Sequence, residues 1–409
     1  MGRLKELIQR ERLLPLSLLI IFIITFVALP KGIVTTLVGD SYIQPWKVLI
    51  VFFASAYVAI SADVSHLFKY LTERLFNRQL PSRMAVFVGV FLFSGFLTLL
   101  ASNDIVVLTL TPIICYLARY QHINVMPLLF AEFLAANSFS MMFYVGDPTN
   151  IIIANALGAS FTSFASTMFL PTLASVIVLF IALIVHFRHD LHGRTEHKGL
   201  SSKIDTPTVN MAISATLLIG MLGSFAAGAL LNFEAWQVAM VFATISLAKD
   251  IVISLRQKHY MRQVWHALPW KIIGLLIVLF IAVQFATSLY APSQLLQATN
   301  QSLFSMVFGT ATIGMLLANI INNQPATLLL TTALREGNTI AAPAAYAIVM
   351  ATSLGATLSL VGTLAGLMWQ RLLNKEEIQM SHRTYMRHSF RIVPYGVLAG
   401  LIVLYLQFI

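Results

Sequence analysis

Ser102-Asn103-Asp104-Ile105-Val106-Val107-Leu108-Thr109-Leu110-Thr111-Pro112, followed about 40 residues later by Gly146-Asp147-Pro148-Thr149-Asn150, decides how this chain is read. Both stretches set acidic and amide side chains, with a glycine or a proline, inside apolar sequence. Around them the chain of 409 residues is 58% hydrophobic and only 10% charged, with a mean hydropathy of +0.82. Soluble domains carry about 25% charged residues. So much apolar surface is stable only with lipid as its solvent, and each backbone break inside it has to be justified.

Working outward, a crossing takes about 20 apolar residues. Spans are expected at 13–29, 46–62, 84–102, 126–157 (interrupted), 167–187, 208–228, 236–254, 270–290, 340–373 (interrupted) and 391–408. The basic start before 13–29 has no small-residue cleavage site after it, so 13–29 is expected to stay as the first helix. The segments 103–118 and 304–334 do not fit as simple spans. Treated as re-entrant hairpins, they bring 23 of the 26 Lys and Arg to one face, leaving Lys31, Lys47 and Arg335 on the other. That face is the cytoplasmic one. The expectation is a multi-pass protein of the cell inner membrane, with its N-terminus in the cytoplasm and its C-terminus outside. The net charge of +10 then reflects cytoplasmic loops and not a nucleic-acid partner.

The chain also resembles itself. Ser102-Asn103-Asp104 and Asn322-Asn323-Gln324-Pro325 each open a threonine-bearing apolar segment. Each is followed by a glycine-centred break, at Gly146-Asp147-Pro148-Thr149-Asn150 and at Gly355-Ala356-Thr357-Leu358-Ser359-Leu360-Val361-Gly362-Thr363. Paired loops have opposite character: 63–83 is basic and 291–303 uncharged, whereas 158–166 is uncharged and 374–390 basic. Equivalent loops on opposite faces define an inverted repeat. The expected fold is an all-α polytopic membrane protein, an inverted-topology repeat with two re-entrant hairpins and two broken helices. Residues 1–187 form the first repeat, 188–228 a linker and connecting helix, and 229–409 the second repeat.

Three acids, Asp104, Glu132 and Asp147, lie inside apolar segments, and no base is evident at depth to pair with them. A charge in hydrocarbon costs several kcal/mol, so each acid is protonated, binds a cation or faces water. Asp104, at a hairpin tip, is either a site residue or a helix cap after Ser102 and Asn103. Asp147, with Thr149 and Asn150, sits where Gly146 and Pro148 interrupt a helix. Glu132 either joins the coupling or pairs with an interfacial base such as Arg119. Cys115 is the one cysteine, which excludes disulfides and multi-cysteine metal sites. No nucleotide-binding glycine loop and no nucleophile–base pair is visible, so the chain is not expected to be an enzyme.

At these motifs the sequence resembles the ion transporter superfamily, in its arsenite-efflux permease and citrate-transporter-like branch. The marks are Ser102-Asn103-Asp104 leading to Leu108-Thr109-Leu110-Thr111-Pro112, Asn322-Asn323-Gln324-Pro325-Ala326-Thr327, and Val361-Gly362-Thr363-Leu364-Ala365. Gly146-Asp147-Pro148-Thr149-Asn150 resembles the melanosomal pink-eyed-dilution protein more closely. Arsenite permeases carry Pro-Asn-Leu-Thr-Pro-Ile-Gly in the second break, where this chain has Gly-Ala-Thr-Leu-Ser-Leu-Val-Gly. Dicarboxylate carriers of the superfamily place Ser-Asn-Thr at both tips; an acid at the first tip here would repel a dicarboxylate.

The resemblance implies a secondary transporter for a small inorganic solute or anion, coupled to protons, with arsenite or antimonite efflux foremost. Ser102, Asn103, Asp104, Asn322, Asn323, Gln324, Gly362 and Thr363 would touch substrate. Asp104, Asp147, Thr149, Asn150 and Glu132 would carry the coupling ion. No cofactor is expected beyond Na+ or H+ as that ion. Membrane lipid and the solute are the partners; the resemblance adds a homodimer and leaves room for an ATPase partner. The rival readings are a sodium/proton antiporter, a citrate-like carboxylate carrier, and a membrane-bound enzyme or sensor.

Overall fold

The computed structural model describes residues 44–76, 82–195, 207–228, 233–289, 292–335 and 340–409. The expected span at 13–29 and the first basic cluster lie outside the described residues, as do Lys31, Arg78, Lys198 and Lys203. Among the described residues there is no strand, and eight helices are long and apolar enough to cross a membrane. The chain is thus an all-α polytopic membrane protein.

In chain order the first helices are α1 (Pro45–Val64), α2 (Leu67–Phe76), α3 (Arg83–Leu100), α4 (Asn103–Tyr120), α5 (Val125–Phe139), α6 (Pro148–Leu157) and α7 (Phe161–His186). Then come α8 (Val209–Gly228), α9 (Ala235–Ser254), α10 (Tyr260–Ala267) and α11 (Trp270–Leu289). The last are α12 (Thr310–Ile321), α13 (Asn323–Arg335), α14 (Ala342–Ser353), α15 (Leu364–Lys375) and α16 (His382–Gln407). Helices α2 and α10 are short and amphipathic, and each precedes a long apolar helix. They occupy segments expected to be loop, because hydropathy alone does not register a helix with one polar face.

Several boundaries differ from the sequence expectation. The 103–118 segment is not a hairpin by itself. It belongs to the continuous helix α4, which pairs with α3 across an extended turn at Ala101 and Ser102. In the second pair, the apolar helix Ser305–Ile321 leads into α13 through Asn322, whose φ of +80° is uncommon for a residue with a side chain. Helices α7 and α16 begin inside the supposed loops 158–166 and 374–390. Ser160 and Ser381 start them, each hydroxyl accepting a backbone N–H 3.1 Å away. Each helix begins before the apolar stretch that announces it, so hydropathy places its start too late.

The two interruptions are present. α5 passes through short 3-10 turns, Ser140–Met142 and Tyr144–Gly146, before α6 resumes. α14 passes through Gly355–Leu358 before α15 resumes. The most extensive helix contact joins α7 to α16, where Gly396 and Gly400 allow close approach to Leu179 and Ser175. Val125–Met142 is the most enclosed of the eight apolar segments and α9 the least. The centre of the molecule therefore holds the interruptions, and the periphery holds uninterrupted apolar helices.

Candidate functional site

α4 and α6 both start at the centre, and their first residues bond to each other. Asn103 Nδ2 donates to Asp147 Oδ2 at 2.8 Å and approaches Asn137 Oδ1 at 3.3 Å. Its Oδ1 accepts the Asp104 N–H at 2.9 Å. One amide thus bridges the two aspartates. Asp147 is the N-cap of α6: its Oδ1 accepts the Thr149 N–H at 2.8 Å and the Thr149 hydroxyl at 2.7 Å. The capping expected at Ser102-Asn103-Asp104 is therefore found at Asp147 instead, and Ser102 makes no side-chain cap bond.

Asp147 meets only donors, the pattern of an acceptor-only carboxylate. Asp104 is also buried, yet its carboxyl has no hydrogen-bond partner among the described residues. No lysine, arginine or histidine forms an ion pair with either acid among the described residues.

Asn150 closes the first interruption. Its Nδ2 donates to the carbonyl of Ser140 at 2.8 Å and to that of Phe143 at 3.2 Å, which also accepts the Gly146 N–H at 3.0 Å. Its Oδ1 accepts from Ser353 on α14 at 3.3 Å, a direct link between the two interrupted helices.

The second interruption is closed from outside. Asn319, on α12, donates from Nδ2 to Gly355 O at 2.9 Å, and its Oδ1 accepts the Ser359 N–H at 2.8 Å. Asn322 Nδ2 donates to Val361 O at 2.9 Å, and the Asn323 N–H to Gly362 O at 2.8 Å. Thr363 caps α15, its hydroxyl accepting the Gly366 N–H at 2.9 Å. Asn323 Oδ1 and Gln324 Oε1 are buried acceptors without a protein partner. Across the centre α4 packs on α15, and α6 packs on α13 and α14. The helix starts at Asn103, Pro148, Asn323 and Leu364 thus belong to one packed core.

Glu132 is buried apart from the Asn103 cluster. It does not pair with Arg119, which meets Glu376 Oε2 at 3.1 Å instead.

Two features escaped sequence reasoning. Asn319 was legible as a polar residue one turn before Asn322 in an apolar helix. The other is a buried ion pair on α9, Lys249 Nζ to Asp250 Oδ1 at 3.1 Å. The base and the acid had been absorbed into a charged helix end. Tyr57 and Ser61 of α1 donate to Asp250 at 3.0 and 2.9 Å, and Lys249 donates to Ser61 and to Ser214 of α8. Every charge there is met, so the pair reads as a joint between α1, α8 and α9.

The family model described as citrate transporter (CitMHS) matches residues 8–355. The chain belongs to the citrate transporter family. It is similar to the arsenical pump membrane protein of Escherichia coli strain K12, at 22% identity over 356 residues, 84% of this chain and 82% of that protein. The arsenical pump membrane protein of Yersinia enterocolitica is likewise 22% identical over 356 residues. The inner membrane protein YbiR of Escherichia coli strain K12 is 25% identical over 363 residues, 88% of this chain and 87% of that protein. Family membership and eight apolar helices together make this chain a multi-pass membrane transporter.

Proposed function

We propose that this transporter exports a small inorganic oxyacid of the arsenite type in exchange for protons. The observation that carries the reading is a pair of buried acids at the junction of a helix pair and a helix interruption: Asp147, whose carboxylate accepts from the Asn103 amide, and Asp104, the residue after Asn103, whose carboxyl has no partner among the described residues. A buried carboxylate without a partner is costly and becomes tolerable on taking up a proton. Asp147 is held by three donors and orients Asn103. Asp104 is held by none and is the group that exchanges protons. In this reading Asn103 and Asp104 on one helix pair and the open acceptors of Asn323 and Gln324 on the other are the groups that would hold a small neutral hydroxide of arsenic. The arsenical pump relatives support that solute class; an acid at the first tip disfavours a dicarboxylate despite the family's descriptive name.

The topology is part of the same reading. The α3–α4 pair opens where the Arg83 N–H meets Gly193 O and where Arg119 meets Glu376. Both contacts involve segments next to basic clusters, which fits a re-entrant pair open to the cytoplasm. The second pair would open outward, giving inverted halves at 1–187 and 229–409 joined through 188–228, with the N-terminus inside and the C-terminus outside.

The test is arsenite flux in proteoliposomes under an imposed pH gradient. Gradient-driven arsenite movement that fails in Asp104→Asn is the expected result; arsenite movement indifferent to pH overturns the coupling. Engineered cysteines at residues 69–76 and 374–380 should label from the same face, and labelling from opposite faces overturns the topology. A sodium/proton antiporter stays as the second reading, because Asp104 with the open oxygens of Asn323 and Gln324 is also a cation-like donor set. Sodium-driven proton flux without any solute would favour it.

A further inference from the structure

Beyond the Asn103 cluster, α4 carries more polar groups along one face. Asp104, Thr111 and Cys115 follow at spacings of seven and four residues, so they line one stripe of the helix. At the far end of that stripe Cys115, Ala118, Arg119 and His122 line a surface pocket, with Ile378 against them. Between the pocket and the aspartates, Glu132 of α5 reaches the same stripe.

Its contacts constrain where protons sit. Thr111 Oγ1 lies 2.7 Å from Val107 O and 2.8 Å from Glu132 Oε1. A hydroxyl has one proton to give. If Thr111 gives it to Val107 O, the short contact with Glu132 is satisfied only when Glu132 carries a proton and donates to Thr111. If Thr111 gives it to Glu132, the contact with Val107 O is left without a proton. Only the protonated acid makes both contacts hydrogen bonds. Glu132 Oε2 is buried without a protein partner, and the indole Nε1 of Trp369, equally unpartnered, faces it. Oε2, facing a donor, serves as an acceptor, and the exchangeable proton is the one that Oε1 gives to Thr111.

The elements around Glu132 carry several titratable groups. Beside Asp104, Tyr116 and Tyr120 on α4, Arg371 and Lys375 on α15, and His382, Arg383, Arg387, Arg391, Tyr395 and Tyr405 on α16, they include Arg83 at the start of α3, Cys115 and the Glu376-paired Arg119 on α4, His186 at the end of α7, and Tyr385 and His388 on α16. None forms an ion pair with Glu132 among the described residues.

We infer that Glu132 is a proton way-station between the pocket at the end of α4 and the Asp104–Asp147 pair. Glu132 takes a proton from water entering at the pocket and releases it toward Asp104. Asp104 lies two turns from Thr111, about 10 Å along the helix, so water carries the proton between them. The inference rests on the proton-coupled reading above and assigns Glu132 a step in it.

The experiment compares arsenite flux driven by a pH gradient with arsenite counterflow at equal pH, in wild type, Glu132→Gln and Thr111→Val. Glu132→Gln should lose at least about tenfold of gradient-driven flux, in line with removal of a proton-transfer group, while counterflow persists. Thr111→Val should shift the pH profile with a smaller loss. Gradient-driven flux in Glu132→Gln equal to wild type overturns the way-station. So does loss of counterflow in a well-folded variant, which would put Glu132 in the solute site. Should Glu132→Gln fail to purify, an unchanged pH profile in Thr111→Val overturns the inference. A wild type without gradient-driven flux instead sinks the proton-coupled reading itself.

Discussion

The two interruptions share a backbone plan and differ in charge. Each resumed helix is capped by the residue just before it: a carboxylate at Asp147, a hydroxyl at Thr363. Each paired helix opens on Asn and then a second polar residue: Asn103 and Asp104 in one, Asn323 and Gln324 in the other. Both acids of one side thus face neutral counterparts on the other. The closures differ as well. The first break is sealed by Asn150 from its own resumed helix, the second by Asn319 and Asn322 from the neighbouring pair. The difference is one of charge: the first side holds two buried carboxylates, and the second closes its break with neutral groups alone.

The comparison breaks most readily at the caps. Asp147→Ala should abolish coupled flux and cost about 2 kcal/mol of stability, since a cap and the Asn103 bond go together. Thr363→Ala should cost about 1 kcal/mol and leave most flux in place. Flux in proteoliposomes and thermal unfolding in detergent measure both; equal flux losses would erase the distinction. Asp104→Asn should also remove coupled flux, yet leave the unfolding midpoint nearly unchanged, because its carboxyl has no bond to lose. Gln324→Ala should weaken apparent solute affinity by roughly tenfold, the worth of one hydrogen bond, and keep the coupling.

Geometry is the complementary target. A Cβ on Gly362 would collide with the carbonyl of Ala356 and lie 2.8 Å from Asn319 Oδ1, whereas one on Gly146 would meet Ser140 O at 2.5 Å. Gly362→Ala should cost about 3 kcal/mol and Gly146→Ala somewhat less, by denaturation midpoints. Asn319→Ala should cost about 1–3 kcal/mol for the stranded Gly355 O and Ser359 N–H, with residual flux still dependent on pH. Loss of pH dependence in that variant would show the neutral side taking part in coupling.

Much of this was legible beforehand. Gly146-Asp147-Pro148 announces a break because proline cannot continue the backbone ladder, and Asn322-Asn323-Gln324-Pro325 does the same for a turn. Asn103, Asp147, Thr149 and Asn150 were legible as polar residues at a helix start and a helix break, but the bond between Asn103 and Asp147 was not. Glu132 was visible as an acid, but its partner Thr111 was not, because contacts between helices depend on which faces meet. Lys249 and Asp250 were hidden by proximity to a helix end, where charge ordinarily means solvent. The amphipathic helices α2 and α10 were hidden by averaging over polar and apolar faces.

Sequence by itself determined that the chain lives in lipid, where its helices are interrupted, and which acids sit at those points. Those are local properties: hydropathy, a missing N–H at proline, and the cost of charge in hydrocarbon act residue by residue. Only the tertiary structure decided that Asn103 joins Asp104 to Asp147, that Asn319 seals the far break, and that Thr111 meets Glu132. Such bonds span 21 to 44 residues of chain. Helix packing selects them, because in a close-packed interior a buried polar atom must find whichever partner the neighbouring face presents.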